Sequence, residues 1–347
     1  MTVSSPNQTV NISYCAFATQ FMNVRIHQPV EAMRQLGANI ALYDKKVQFL
    51  DNLPNDEPKI MILQRAFLDK EGWPQVIKEA IKRDWLVVNE YDDYPENPHN
   101  AAKRAKSLDW ERFKMCHAVQ CSTQPLADVF KEWNPEVKLF KNQFFRVLNP
   151  IVRTDNEVRV FFGALNRKNA WAPLIDSFNK LFKKYQQLRP VVLHDREFFD
   201  AIETPNKAFK PTAGYQEYLN ILHCCDISLQ PLDDSKFNRY KSDIKFLEAG
   251  AGGLAVIASP VVYENTIKHG ENGLIARTTP DWESMLAKLA CDAEYRRTLG
   301  RNAKNYVLAE RMLVNHVGQQ LDWYRDIWAR RGALNARLIE LYPQLKP

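Results

Sequence analysis

Residues 231–259, PLDDSKFNRYKSDIKFLEAGAGGLAVIAS, hold the densest set of side chains able to do chemistry. The segment reads as a strand end, a polar loop, a helix starting near Ser242 and Asp243, and a glycine-rich turn into another strand. A helix that begins after a strand presents unpaired backbone N–H groups and the positive end of its dipole, which suits a diphosphate. Ser242, Asp243 and Ile244 open that helix, and Lys241 and Lys245 add positive charge there. Glu248, on the same helix, can accept hydrogen bonds from ribose hydroxyls. An ordinary strand–helix–strand unit with solvated lysines would carry the same pattern.

Other candidates sit where strands end. The run Asn89-Glu90-Tyr91-Asp92-Asp93-Tyr94 follows an apolar stretch over 85–88, and in a parallel sheet that end faces ligands. Asp92 or Asp93 can take the proton of an attacking hydroxyl in an inverting reaction, can orient an acceptor, or can belong to a solvated acidic loop. Gln64-Arg65 closes a second strand and His194-Asp195-Arg196-Glu197 a third; His194 reaches a nucleotide or sits in a local salt-bridged turn. No Asp-x-Asp motif occurs, and Asp92-Asp93 and Asp233-Asp234 offer too few converging oxygens for a hard cation. No metal and no cofactor is expected.

Such strand ends need a scaffold. Strands are predicted over 10–17, 39–43, 59–64, 85–88, 118–121 and 137–140, with helices over 29–36, 73–83, 105–116 and 123–133. The pattern then restarts. Strands over 158–162, 191–194, 227–229 and 254–258 alternate with helices over 173–185, 215–224, 244–251, 280–289, 293–308 and 314–331. Short apolar runs between helices imply parallel sheets covered on both faces, hence an α/β protein of two doubly wound, Rossmann-like domains. Residues 142–155, with Asn149-Pro150, read as the linker. The expected division is a first domain over 1–145, a second over 151–312, and terminal helices over 313–347.

Bulk properties agree with this plan. A chain of 347 residues is long for one core. With 45% hydrophobic and 25% charged residues, long disorder is excluded. A net charge of +6 suits an acidic ligand such as a nucleoside diphosphate, but equally anionic lipid or nucleic acid, and the basic residues are spread along the chain. The six cysteines show no CxxC pair or metal spacing, which fits a reducing cytoplasm. The start, MTVSSPNQ, has no signal-peptide character, and the uncharged stretch 249–263 is broken by Gly and Pro and cannot span a bilayer.

The segment Glu248-Ala249-Gly250-Ala251-Gly252-Gly253-Leu254-Ala255-Val256-Ile257-Ala258-Ser259, with Tyr263 and the turn Gly270-Glu271-Asn272-Gly273-Leu274, resembles the donor-binding core of glycosyltransferase family 4. That family shares the GT-B fold. Phe161-Phe162-Gly163 followed by Arg167-Lys168 is similar to the family's Gly-Arg-Leu…Lys-Gly stretch, whose basic residues hold the donor diphosphate. Tyr218…Cys225-Asp226-Ile227…Pro231 is similar to its helix and strand before the site. Over 158–309 the resemblance is specific; over 10–141 only the order of elements matches.

This resemblance implies an enzyme that moves a hexosyl or pentosyl group from a nucleotide-diphosphate sugar to an acceptor hydroxyl. Gly163, Arg167, Lys168, Lys241, Ser242, Asp243, Ile244, Lys245 and Glu248 would hold the donor, and Arg25, His27, Arg65 and His194 would line the cleft. It also implies that the last long helix packs back on the first domain, with Val317, Leu321, Tyr324 and Trp328 on one apolar face. Tyr240 stands where the family has the first Glu of its Glu-x7-Glu pair, and Asp243 or Lys241 is the expected replacement. The implied acceptor is a cell-surface glycan or lipid-linked precursor, with peripheral contact at the inner membrane face. Hydroxylated DNA bases as acceptor, or a non-catalytic sugar-nucleotide-binding subunit, are the alternatives.

Overall fold

The computed structural model of the protein describes residues 8–17, 22–66, 68, 71–96, 110–147 and 155–347. The chain forms two compact units. One comprises Met1–Asn142, Tyr240–Ser242 and Leu313–Pro347, the other Gln143–Arg239 and Asp243–Met312.

The first unit is built on six strands: β1 (Asn11–Ala16), β2 (Asn39–Asp44), β3 (Lys59–Gln64), β4 (Leu86–Tyr91), β5 (Ala118–Cys121) and β6 (Val137–Leu139). They pair in parallel in the order β2-β1-β3-β4-β5-β6. β1, β3, β4 and β5 are buried along their whole lengths, which is why they read as apolar runs without alternation. The helix Val317–Ala329 packs on this unit: Tyr324 donates to Gln120 Oε1 at 2.7 Å and the Trp328 indole to the Asp84 carbonyl at 3.3 Å.

The sequence places that helix over 314–331, but a 3-10 turn, Leu313–Asn315, precedes it and it stops at Ala329. A further helix, Arg331–Leu341, then follows. Gly332 marks the break in the sequence, while the Arg330 amide still bonds the Asp326 and Ile327 carbonyls, so the turn between the two helices is tight. Only Leu334 and Leu338 of the next helix are buried, too few to show a period. Of the helix predicted over 105–116, Glu111–Lys114 is seen; 97–109 lie outside the described residues, and the helix stops before Met115 and Cys116. The linker dipeptide Asn149-Pro150 also lies outside them.

The second unit holds β7 (Val158–Gly163), β8 (Leu188–Leu193), β9 (Ala208–Lys210), β10 (Ile227–Gln230), β11 (Ala255–Ala258) and β12 (Leu274–Ile275). Their order is β12-β11-β10-β7-β8-β9, again all parallel. β9 and β12 have three and two residues, too short for a hydrophobic period, and the sequence did not reveal them. The sheet separates two apolar layers. Val160, Phe162, Leu229 and Ile257 pack with Phe178 and Trp282 on one side, whereas Phe161, Val256 and Ala258 pack with Phe246 and Val307 on the other.

In each sheet the chain order reverses once, between β1 and β3 and between β7 and β10. Segments leaving two adjacent strands in opposite directions open a crevice at the carboxyl ends, where doubly wound sheets bind ligands.

Candidate functional site

The reversal point of the second unit gathers most of the chemistry. β7 ends in Gly163, and Arg167 follows in the next turn. Gly163 is required by packing: a Cβ there would lie 2.4 Å from Phe161 Cζ and 3.4 Å from Tyr218 Cε2. β10 ends in Gln230, whose Oε1 is buried with no hydrogen-bond partner, while its amide donates to the Lys245 carbonyl at 2.9 Å.

The helix Ile244–Ala251 follows. The backbone amides of Ile244 and Lys245 make no hydrogen bond among the described residues, so the positive end of this helix is open. Its far end turns through Gly253, at φ +78, and the Gly253 carbonyl lies where a Cβ on Gly300 would clash. That glycine pair lets the helix Ala293–Glu310 press against the turn.

On this helix Glu248 is almost fully buried. Its Oε2 accepts from the Tyr218 hydroxyl at 2.8 Å, and Lys245 Nζ donates to the same hydroxyl at 3.1 Å. Lys245 and Glu248 themselves stand 3.9 Å apart. Burial pulls the Lys245 ammonium below the usual lysine range and Arg167 adds to this, with Glu248 opposing. Burial, the Glu248 charge and its hydrogen bond push the Tyr218 phenol up, so it stays protonated.

The remaining donor-side candidates go elsewhere. Lys168 forms an exposed ion pair with Glu197 at 2.6 Å, away from Arg167's partner Asn238. Asp243 is a correction. Its carboxylate is gripped by Arg311 at 2.6 and 3.0 Å and by the Thr266 hydroxyl at 2.6 Å, so it is committed to partners within its own unit. His194 falls one residue beyond β8 with φ +74, and its Nδ1 lies 3.1 Å from the Pro211 carbonyl. Asp195 caps the next helix by accepting from the Phe198 amide at 2.9 Å.

Lys241 and Ser242 belong to the first unit, although the sequence assigns them to the donor site. Lys241 Nζ lies 3.6 Å from Asp93 Oδ1, and Ser242 Oγ accepts from Asn142 at 2.7 Å. Tyr240 stacks on Tyr94 at 4.4 Å, and its carbonyl accepts from Thr123 at 3.0 Å.

Asp92 and Asp93 stand after β4 beside Arg65, which follows β3 in a left-handed conformation at φ +48. Arg65 donates to Asp92 Oδ1 at 2.6 Å and to Asp93 Oδ2 at 2.8 Å. Burial would raise the Asp92 carboxyl, but Arg65 and then Arg25 overcome it and hold it below the usual carboxylate range. A carboxylate so held is a poor proton acceptor near neutrality.

Arg25 is a correction too. The sequence places it beside a ligand, but it is buried and donates twice to Glu90, at 2.9 and 3.0 Å, and to the Phe140 carbonyl and Asn142. Burial raises the Glu90 carboxyl, with Arg25 opposing. Gln120 bridges Glu90 to Tyr324. His27 is exposed and lines a shallow depression with Val30, Glu31, Arg34, Gln35 and Leu42, none of them a strand-end acid.

No protein-family model matches the chain, and no curated protein matches it in sequence. Solved structures do. HepE of Anabaena, solved with UDP and glucose, has TM-score 0.62 at 12% identity over 90% of this chain and 98% of its own. Sucrose-phosphate synthase of Thermosynechococcus elongatus has TM-score 0.59 at 13% identity over 92% and 100%. A glycosyltransferase of Rickettsia africae has TM-score 0.63 at 12% identity over 92% and 98%. This is the GT-B fold.

Within that GT-B frame, the predicted residues divide. Gly163, Arg167, Ile244, Lys245 and Glu248 converge in the second unit, and Arg65, Asp92, Asp93 and Lys241 in the first. Tyr218 is the residue that sequence reasoning missed, used there only as a landmark. Nothing local distinguishes it from a core tyrosine of an amphipathic helix. Among the described residues, no group of three His, Cys, Asp or Glu could hold a metal ion, and no helix is long and apolar enough to cross a membrane.

Proposed function

We propose that this GT-B protein is a glycosyltransferase that takes a sugar from a nucleoside-diphosphate donor held in the second unit. The observation that carries the reading is the joint placement, at one reversal point, of two open helix amides, Arg167, Lys245 and a buried carboxylate. The amides of Ile244 and Lys245 with the two cations match the charge of a diphosphate. Glu248 matches the ribose hydroxyls. The fold's reversal point and the likeness to HepE, solved with UDP and glucose, support the same reading.

In the transfer, the bond from the anomeric carbon to the diphosphate breaks and a bond to the acceptor oxygen forms. Asp93 takes the acceptor proton, and the departing diphosphate is stabilised by the helix amides, Arg167 and Lys245, without a metal. The acceptor we propose is a hydroxyl of a surface glycan or lipid-linked precursor, and the transferred group a hexosyl or pentosyl unit.

Calorimetry with UDP, GDP and ADP, with and without chelator, tests the donor site. Tight binding of one of them that survives chelator is expected, and no binding of any would overturn the reading. A second reading, a non-catalytic sugar-nucleotide binder, is favoured by one feature: Tyr240 stands in the place of an acid, and nearby Asp243 is held by Arg311. Slow hydrolysis of the bound sugar nucleotide by the purified protein would rule that reading out.

A further inference from the structure

We propose that Tyr218 is a positioning residue whose hydroxyl keeps Lys245 and Glu248 from closing into a direct ion pair, so that both stay available to a ligand. The inference rests on the donor site proposed above. A neutral phenol has one proton to give and lone pairs to accept with. Here it accepts from Lys245 Nζ at 3.1 Å and donates to Glu248 Oε2 at 2.8 Å. The ammonium and carboxylate remain 3.9 Å apart, whereas a direct charged N–H···O bond would close to about 2.8 Å.

Two further observations point the same way. The ring cannot swing out: Phe161 packs edge-on with centroids at 5.8 Å, Tyr215 stacks at 6.1 Å, and Lys245 Nζ lies over the ring at 4.5 Å. The bare Cα of Gly163 leaves Phe161 the room to hold that position. Meanwhile hydrogen-bonding capacity is left over. Glu248 Oε1 accepts no hydrogen bond among the described residues, and two of the three Lys245 donors reach no acceptor there. Remove the hydroxyl, and the opposite charges in this buried setting are free to meet, which takes the lysine from the diphosphate and the carboxylate from the ribose.

The test compares UDP, GDP or ADP, whichever the protein binds most tightly, with its 2′,3′-dideoxy form and with inorganic pyrophosphate. The wild type should prefer the ribonucleotide by about ten- to a hundredfold, as expected for a hydrogen bond to a charged group. In Tyr218→Phe that preference should fall about tenfold, and pyrophosphate affinity should fall with it. Adding Lys245→Met to Tyr218→Phe should restore the ribose preference, because no cation remains to capture Glu248. A tyrosine that only fills space would not be rescued that way. Lys245→Met alone, which keeps the phenol, should lose pyrophosphate affinity and retain the preference.

An unchanged preference in Tyr218→Phe, absence of rescue in the double variant, or loss of the preference in Lys245→Met would each overturn the inference. If the wild type binds none of the three nucleotides, the donor-site reading has failed instead.

Discussion

Two clusters of buried charge, one in each unit, are arranged in opposite ways. At the strand ends of the first, charges meet directly: Arg25 with Glu90, and Arg65 with Asp92 and Asp93. In the second, Lys245 and Glu248 are held apart by a neutral hydroxyl. Direct pairing uses up donors and acceptors and fixes a shape. Separation leaves them unused, at the cost of keeping two charges poorly solvated. On the proposed reading, the first arrangement holds an architecture in place and the second keeps a site receptive, with Asp93 the partial exception.

The largest expected effect tests that exception. Asp93→Asn should slow sugar transfer by about 10²–10⁴-fold and leave donor affinity unchanged. Asp92→Asn should do less, since Arg65 already holds Asp92 as a weak base. Transfer rates set against calorimetric donor affinities check this; a normal rate in both variants would make the loop purely architectural. An inverted anomeric centre in the product would support the base role, and retention would leave these acids only acceptor positioning.

Next comes the buried pair. Arg25→Met strands the Glu90 carboxylate and should destabilise the protein by about 3–5 kcal/mol, read from urea unfolding of the first unit. If stability is unchanged, direct pairing there is not architectural and the contrast collapses. By comparison, Glu248→Gln should leave unfolding nearly unchanged and weaken nucleotide binding by about 1.5–3 kcal/mol. A large loss of stability with normal affinity would move Glu248 into the architectural class.

The smallest effect is one of pH. The Lys245 pKa is lowered in the free protein, mainly by burial, and a bound diphosphate favours the charged form. Donor affinity should therefore be full at lower pH and decline as pH rises through the lowered lysine pKa, by a few-fold. Lys245→Met should flatten that decline. An unaltered slope in that variant would assign the titration to another group.

Much of this was legible without coordinates. Short apolar runs between amphipathic helices are what parallel sheets demand of a sequence, so the α/β plan and the charged strand ends at Arg65, Asp92 and Asp93 could be read from spacing. The open start of the Ile244–Ala251 helix and its glycine stop were equally local. Period and spacing report which residues share a face of one element. They do not report which distant element meets that face. The grip of Arg311 on Asp243, the burial of Arg25 against Glu90, and the membership of Tyr240–Ser242 in the first unit all join residues remote in sequence. Tyr218 is the sharpest case, since its hydroxyl gains a role only where Phe161, Gly163 and the Ile244–Ala251 helix close around it, and only folding brings those together.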